Sequence, residues 1–173
     1  MKRITVLLLL ATLLFAALPA VAQKVAVDYD HHVDFGKYHT FSIVSVQTES
    51  PLWNDRVRRA IRDALTAKGY TPVPGAGGDM SIVAVSTTHA RPTLETFYTG
   101  LGGWHWRGFG TAETTVHYYR VGTLVVSIFD TPSMRLIWRG YSSGVLAHKA
   151  DKNIRNLNKA VRKMFQHFPP TME

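Results

Sequence analysis

No cysteine occurs in the 173 residues. That excludes a disulfide framework, a thiolate nucleophile and a lipid-bearing cysteine at a processing site. Glutamate is scarce, present only as Glu49, Glu95, Glu113 and Glu173, whereas a glycosidase needs two carboxylates held rigidly across a cleft. The sequence has no G-x-S-x-G elbow and no S-x-x-K. It also has no H-E-x-x-H and no phosphate-cradling Walker loop. Eight histidines are scattered without the spacing of a proton relay. Together these absences favour a non-enzyme that needs no cofactor and no resident metal.

The chain opens MKRITVLLLLATLLFAALPAVAQ. Lys2 and Arg3 precede a fifteen-residue apolar run, Ile4 to Leu18, and Ala20-Val21-Ala22 supplies small residues for a signal peptidase. Fifteen residues fall short of the ~20 that span a bilayer. The pattern therefore predicts a secretory signal over 1–22, cleaved after Ala22, and a periplasmic or secreted product over 23–173. No later segment is apolar enough to cross a membrane. Cleavage leaves 18 Lys and Arg against 12 Asp and Glu, a formal charge of +6. An exported basic chain meets an anionic lipid surface, a glycan or another envelope protein rather than nucleic acid.

Periodicity predicts one domain. KVAVDYD (24–30) and HTFSIV (39–44) alternate at period two, as half-buried strands do. Ser50-Pro51 opens a helix with apolar positions Leu52, Val57, Ile61, Ala64 and Leu65, which Gly69 stops. TPVPGAGGD (71–79) reads as a turn-rich link, and MSIVAVSTTH (80–89) as a strand. TTVHYYRVGTLVVSIFD (114–130), a turn at Asp130–Ser133, and RLIWRGYSSG (135–144) make an antiparallel pair. In that last strand Trp138 shares a face with Leu136. Arg139 lies opposite, beside Ile137 and Tyr141; a buried structural pairing with Asp130 or Asp28 is favoured over a sheet-face arginine among tyrosines that grips an anion. A last helix with Asp151 as N-cap carries Ile154, Leu157, Val161, Met164, Phe165 and Phe168. The order β-β-α-β-β-β-α gives an α+β fold, a single mixed, mainly antiparallel sheet with both helices on one face.

DYDHHVDFGKYHTF (28–41), IRDALTAKGYTPV (61–73), GDMSIVAV (78–85), GTLVVSIFDTPSMRLIWRG (122–140) and NKAVRKMFQHFPP (158–170) together resemble the bacterial family called domain of unknown function 4136. The resemblance runs in order along the whole mature chain. It implies an exported, often lipid-anchored protein with no established activity, and brings no catalytic residues. Gln23 stands where a lipid-anchored member carries its cysteine, so a soluble periplasmic product is expected here.

Three features could carry function. Asp28, Asp30, His31, His32 and Asp34 crowd into seven residues and could serve a metal site, or a hydrolase together with His117 or His148. Against this, aspartates at strand ends usually satisfy backbone donors. The helices carry Arg56, Arg58, Arg59 and Arg62, and Lys152, Arg155, Lys159, Arg162 and Lys163, all expected on solvated outer faces. Asp55 is placed to offset Arg58 and Arg59, whereas the second set has no acid between Lys152 and Lys163, so that helix suits an anionic membrane surface. The strongest candidate is TGLGGWHWRGFGTAET (99–114), the core of a Gly/aromatic-rich loop expected at about 90–113. Trp104, Trp106 and Phe109 there offer stacking area beside His105 and Arg107, and loops of such length tend to be functional or disordered.

Overall fold

The structure is a computed structural model that describes residues 23–99 and 111–170. The predicted signal and the centre of the Gly/aromatic segment lie outside them. Strands β1 (Lys24–Tyr29), β2 (Thr40–Gln47), β3 (Thr71–Pro72), β4 (Met80–Thr99), β5 (Thr111–Asp130) and β6 (Arg135–Val145) form one sheet in the order β1-β6-β5-β4-β2-β3. Helix α1 (Pro51–Thr66) follows β2, and α2 (Ala150–Met164) closes the order. In the run β1, β6, β5 and β4 each strand is antiparallel to its neighbour, whereas β2 is parallel to β4 and to β3. The predicted α+β architecture is therefore the observed one. Two-residue β3, inside the expected link, is an addition: the Val73 amide reaches the Phe41 carbonyl and holds the link against β2.

Both helices share one core with one sheet face. Phe41, Met80, Ile82, Ala84, Val126, Ile128 and Trp138 meet Val57, Ile61 and Leu65 of α1 and Val161 and Met164 of α2. The segment after α2 adds two rings. Phe165 stacks on Trp138 with centroids 4.9 Å apart, and Phe168 meets both edge-on at 5.6 and 5.7 Å. Gly140 makes room for this stack, because a Cβ there would lie 2.5 Å from the Trp138 ring.

Several sequence expectations shift. Leu52 is 68% exposed. Nine residues at 100° per residue put it half a turn from Ile61, and half-buried Trp53 takes its place on the stripe. Asp151 lies in the first turn of α2 while Lys149 is the N-cap. The Asn153 amide instead closes the approach, accepting from the Ala147 amide at 2.7 Å and donating to its carbonyl at 2.8 Å. In β6 the register slips so that Ile128 pairs with Trp138 but Phe129 pairs with Leu136. The extra residue, Ile137, reverses the alternation, so Leu136 leaves the Trp138 face and Ile137 is itself buried. Arg139 is exposed rather than buried. It faces Asp28 in register and donates through Nε to the Ser127 hydroxyl at 3.2 Å.

Two carboxylates stitch the ends of the sheet. Asp79 accepts from the amides of His39 and Thr40, both at 2.9 Å, and these bonds hold it below the usual carboxylate range. Asp130 accepts from the Ser133 hydroxyl and amide and from the Tyr38 hydroxyl at 3.0 Å. The Ser133 hydroxyl does most to hold its pKa down, while burial and this donation push Tyr38 up to about 12. Carboxylates with lowered folded-state pKa stabilise in full above their ordinary value of 3.8, and that stability drains as the pH falls through the folded-state values. A pH series of melting temperatures should therefore fall off as the pH drops toward and below 3.8. Asp79→Asn should lower the melting temperature at neutral pH and make the acid limb shallower. A limb with unchanged slope would remove Asp79 from the account.

Candidate functional site

The expected loop at 90–113 is shorter, because β4 runs to Thr99 and β5 begins at Thr111. The sequence explains the extension. TLETFYT (93–99) and TAETTVHYY (111–119) are rich in threonine and aromatics, which favour strands, and their register pairs Thr99 with Thr111 down to Arg91 with Tyr119. Pro92 is tolerated because, among the described pairings, no strand lies on the other side of β4 there.

The flanking ladders stop first. β2 leaves β4 at the Gln47/Val85 pair, and β6 leaves β5 at Val121/Val145, with one further bond from the Leu146 amide to the Arg120 carbonyl. Among the described pairings, β4 and β5 then continue as a two-stranded ribbon over residues 90–99 and 111–120. Ten residues at about 3.3 Å each give it a length of roughly 33 Å. At its base, Glu49 accepts from the Thr88 amide at 2.8 Å and pairs with Arg120 at 3.6 Å. This carboxylate stands where β2 would have continued and ties the ribbon to the body. Sequence reading missed it because nothing local marks a glutamate that reaches 39 residues along the chain. Tyr118, on the ribbon, is 73% exposed.

Trp104, His105, Trp106, Arg107 and Phe109 lie outside the described residues. They occupy the segment that the two ribbon strands carry, between Thr99 and Thr111.

The Asp/His cluster is tied down locally. Asp28 accepts from the Tyr29 amide at 3.0 Å, Asp30 from the His32 amide at 2.9 Å and Asp34 from the Gly36 amide at 2.9 Å. Asp30 also pairs with Arg135 at 3.1 Å, the His31 ring lies against Tyr29, and His32 is exposed. Among the described residues no three His, Asp or Glu side chains gather to hold a metal ion. His148 is exposed between β6 and α2, and His117 is placed opposite Thr93 in the ribbon.

On α2, Lys152, Arg155, Lys159, Arg162 and Lys163 are all exposed, as the periodicity required. α1 is different. Arg56 lies 4.9 Å over the Trp53 ring, and half-buried Arg58 donates from Nη1 to the Ile43 carbonyl at 2.7 Å. Among the described ion pairs Asp55 meets neither Arg58 nor Arg59. No helix among the described residues is long and apolar enough to cross a membrane.

Several solved structures share the fold at low sequence identity. A PDZ domain protein from Parabacteroides distasonis superposes with a TM-score of 0.53 at 17% identity, covering 94% of this chain and 40% of that one. This chain thus spans about two fifths of that protein. PelC from Paraburkholderia phytofirmans, solved as a dodecamer in two crystal forms, gives a TM-score of 0.50 in each at 12% and 11% identity, covering 83% of this chain and 95% of PelC. No curated protein matches the sequence. A family signature does match, over residues 25–170, and the chain belongs to the family described as "Domain of unknown function (DUF4136)".

Proposed function

We propose that this protein is an exported, non-catalytic binding module of the cell envelope that engages another envelope component through the β4–β5 ribbon and the segment it carries. One observation bears most of the weight: β4 and β5 run on for ten residues beyond the last strand that flanks them. Two strands alone are at best marginally stable in water, so a ribbon of this length gains from a partner laid against it. The composition of residues 99–114 adds stacking rings beside a cation, which suits a glycan or a protein edge. The N-terminal signal pattern supports export to the periplasm or beyond. The Asp/His reading, a hydrolase or metal-binding protein, has less behind it, because the described aspartates are already engaged by backbone amides and Arg135.

Photo-crosslinking in intact cells tests the proposal. A photoreactive residue at Tyr118 should give a discrete adduct, and one at Arg155 should not. Trp104→Ala with Trp106→Ala should abolish the Tyr118 adduct and leave the melting temperature nearly unchanged, as substitutions outside the core do. A large loss of stability would show that these rings belong to the core. A second reading rests on the exposed basic face of α2, a peripheral attachment to an anionic lipid surface. Adducts from Arg155 alone, with vesicle binding that vanishes in high salt, would favour it instead.

A further inference from the structure

Beside the outer edge of β2 lies a cavity of about 320 Å³, lined by Phe41, Ile43, Arg58, Arg62 and the Pro72–Gly75 segment. That volume is at the lower end of small-molecule sites. Ile43, Pro72 and Pro74 supply its accessible apolar side chains, with Phe41 fully buried beneath them, and no carboxylate lines it. Pro72 and Pro74 have no amide hydrogen, and the Val73 amide is already bonded to the Phe41 carbonyl. Arg58 and Arg62 add guanidinium donors.

Arg58 and Arg62 stand four residues apart on α1, a spacing that sets two like charges side by side at a cost to the helix. Among the described ion pairs neither meets a carboxylate. Arg58 is oriented by its bond to the Ile43 carbonyl at 2.7 Å, which engages Nη1 and leaves its other N–H donors. Arg62, which also lines the cavity, is exposed. An anchored guanidinium, a second one four residues on and the apolar side chains of Ile43, Pro72 and Pro74 match a small anion that carries a ring or short chain.

The geometry points to a binding site for an amphiphilic anion, a carboxylate or phosphate monoester whose apolar body lies against Ile43 and the two prolines while Arg58 and Arg62 hold its charge. The site is separate from the ribbon and stands or falls independently of it.

Titration calorimetry on the purified protein tests this with four probes: phenyl phosphate, benzoate, inorganic phosphate and phenol. Saturable binding is expected for phenyl phosphate or benzoate, at least about tenfold tighter than for inorganic phosphate or phenol. The tighter of the two ring-bearing anions names the head group. Arg62→Ala should weaken that anion about tenfold or more, as loss of a charge-assisted hydrogen bond does, without moving the melting temperature. Arg62→Lys should restore part of the affinity. Arg59→Ala, an exposed charge on the same helix that does not line the cavity, should leave affinity within about twofold, in line with weak surface electrostatics. Absence of saturable binding by both ring-bearing anions would overturn the proposal. So would equal losses in Arg59→Ala and Arg62→Ala, or inorganic phosphate binding as tightly as phenyl phosphate.

Discussion

Trp138→Ala should destabilise the protein by about 3–5 kcal/mol, the range for removing a large aromatic from a closed core. The ring is 2% exposed, stacked on Phe165 and met edge-on by Phe168. Its loss leaves a hole between β6 and the end of α2 that only large movements could fill. Gly140, two residues on, cannot help because it has no side chain to swing inward. Against a typical total of 5–15 kcal/mol, the variant should retain its fold at low temperature and melt roughly 6–20 °C lower. Urea unfolding followed by circular dichroism would read this as a lower midpoint with an unchanged slope. A loss below about 1 kcal/mol would mean that the aromatic stack does not hold α2 in place.

The second large effect is expected from one methyl group. Gly78 donates its amide to the Ser42 hydroxyl at 3.0 Å and crosses against β2 so closely that a Cβ would sit 2.6 Å from the Phe41 carbonyl carbon and 2.7 Å from the Ser42 nitrogen. Those neighbours are backbone, so Gly78→Ala must push β2 away from the segment leading into β4. The displacement would also strain the Asp79 bonds to His39 and Thr40. Overpacking alone costs about 1–3 kcal/mol, and loss of a buried hydrogen bond adds about 1 kcal/mol or more. Gly77→Ala is the control. Its Cβ would approach nothing nearer than 4.0 Å, so its stability should match the parent within about 0.5 kcal/mol. If the two variants unfold at the same denaturant concentration, the close crossing at Gly78 is not a constraint.

Sequence pattern reached the architecture because the signals were local and strong. Period-two strands, a Ser-Pro helix start and the Val161–Phe168 stripe each report which face of an element is buried. It failed where one residue changes the count. The extra Ile137 in β6 reversed a correct alternation and moved Leu136 to the other face. Leu52 was assigned by hydrophobicity although its angle on the helix opposes the stripe. The polar knot of Tyr38 and Asp130 was illegible, since those residues are 92 positions apart and meet only through the sheet order.

The candidate sites show the same division. Glycine content signalled a loop from 90 onward, yet threonines and tyrosines on either side carry β-pairing to Thr99 and from Thr111. Counting β-branched and aromatic positions would have found most of that ribbon. The basic residues of α2 were placed correctly by periodicity. Arg58 was not, because an arginine beside an apolar stripe can either reach solvent or turn back to a strand carbonyl, and only the sheet edge decides.

The position of the core has a consequence for how this protein can change over generations. Its described buried cluster lies under the two helices, on the body side of the Glu49 clasp. On the proposed function, selection for folding acts on one part of the chain and selection for recognition on another. Changes on the exposed ribbon, as at Tyr118, would then alter recognition at little cost to folding, whereas changes at Trp138, Gly140 or Gly78 would cost stability whatever is bound.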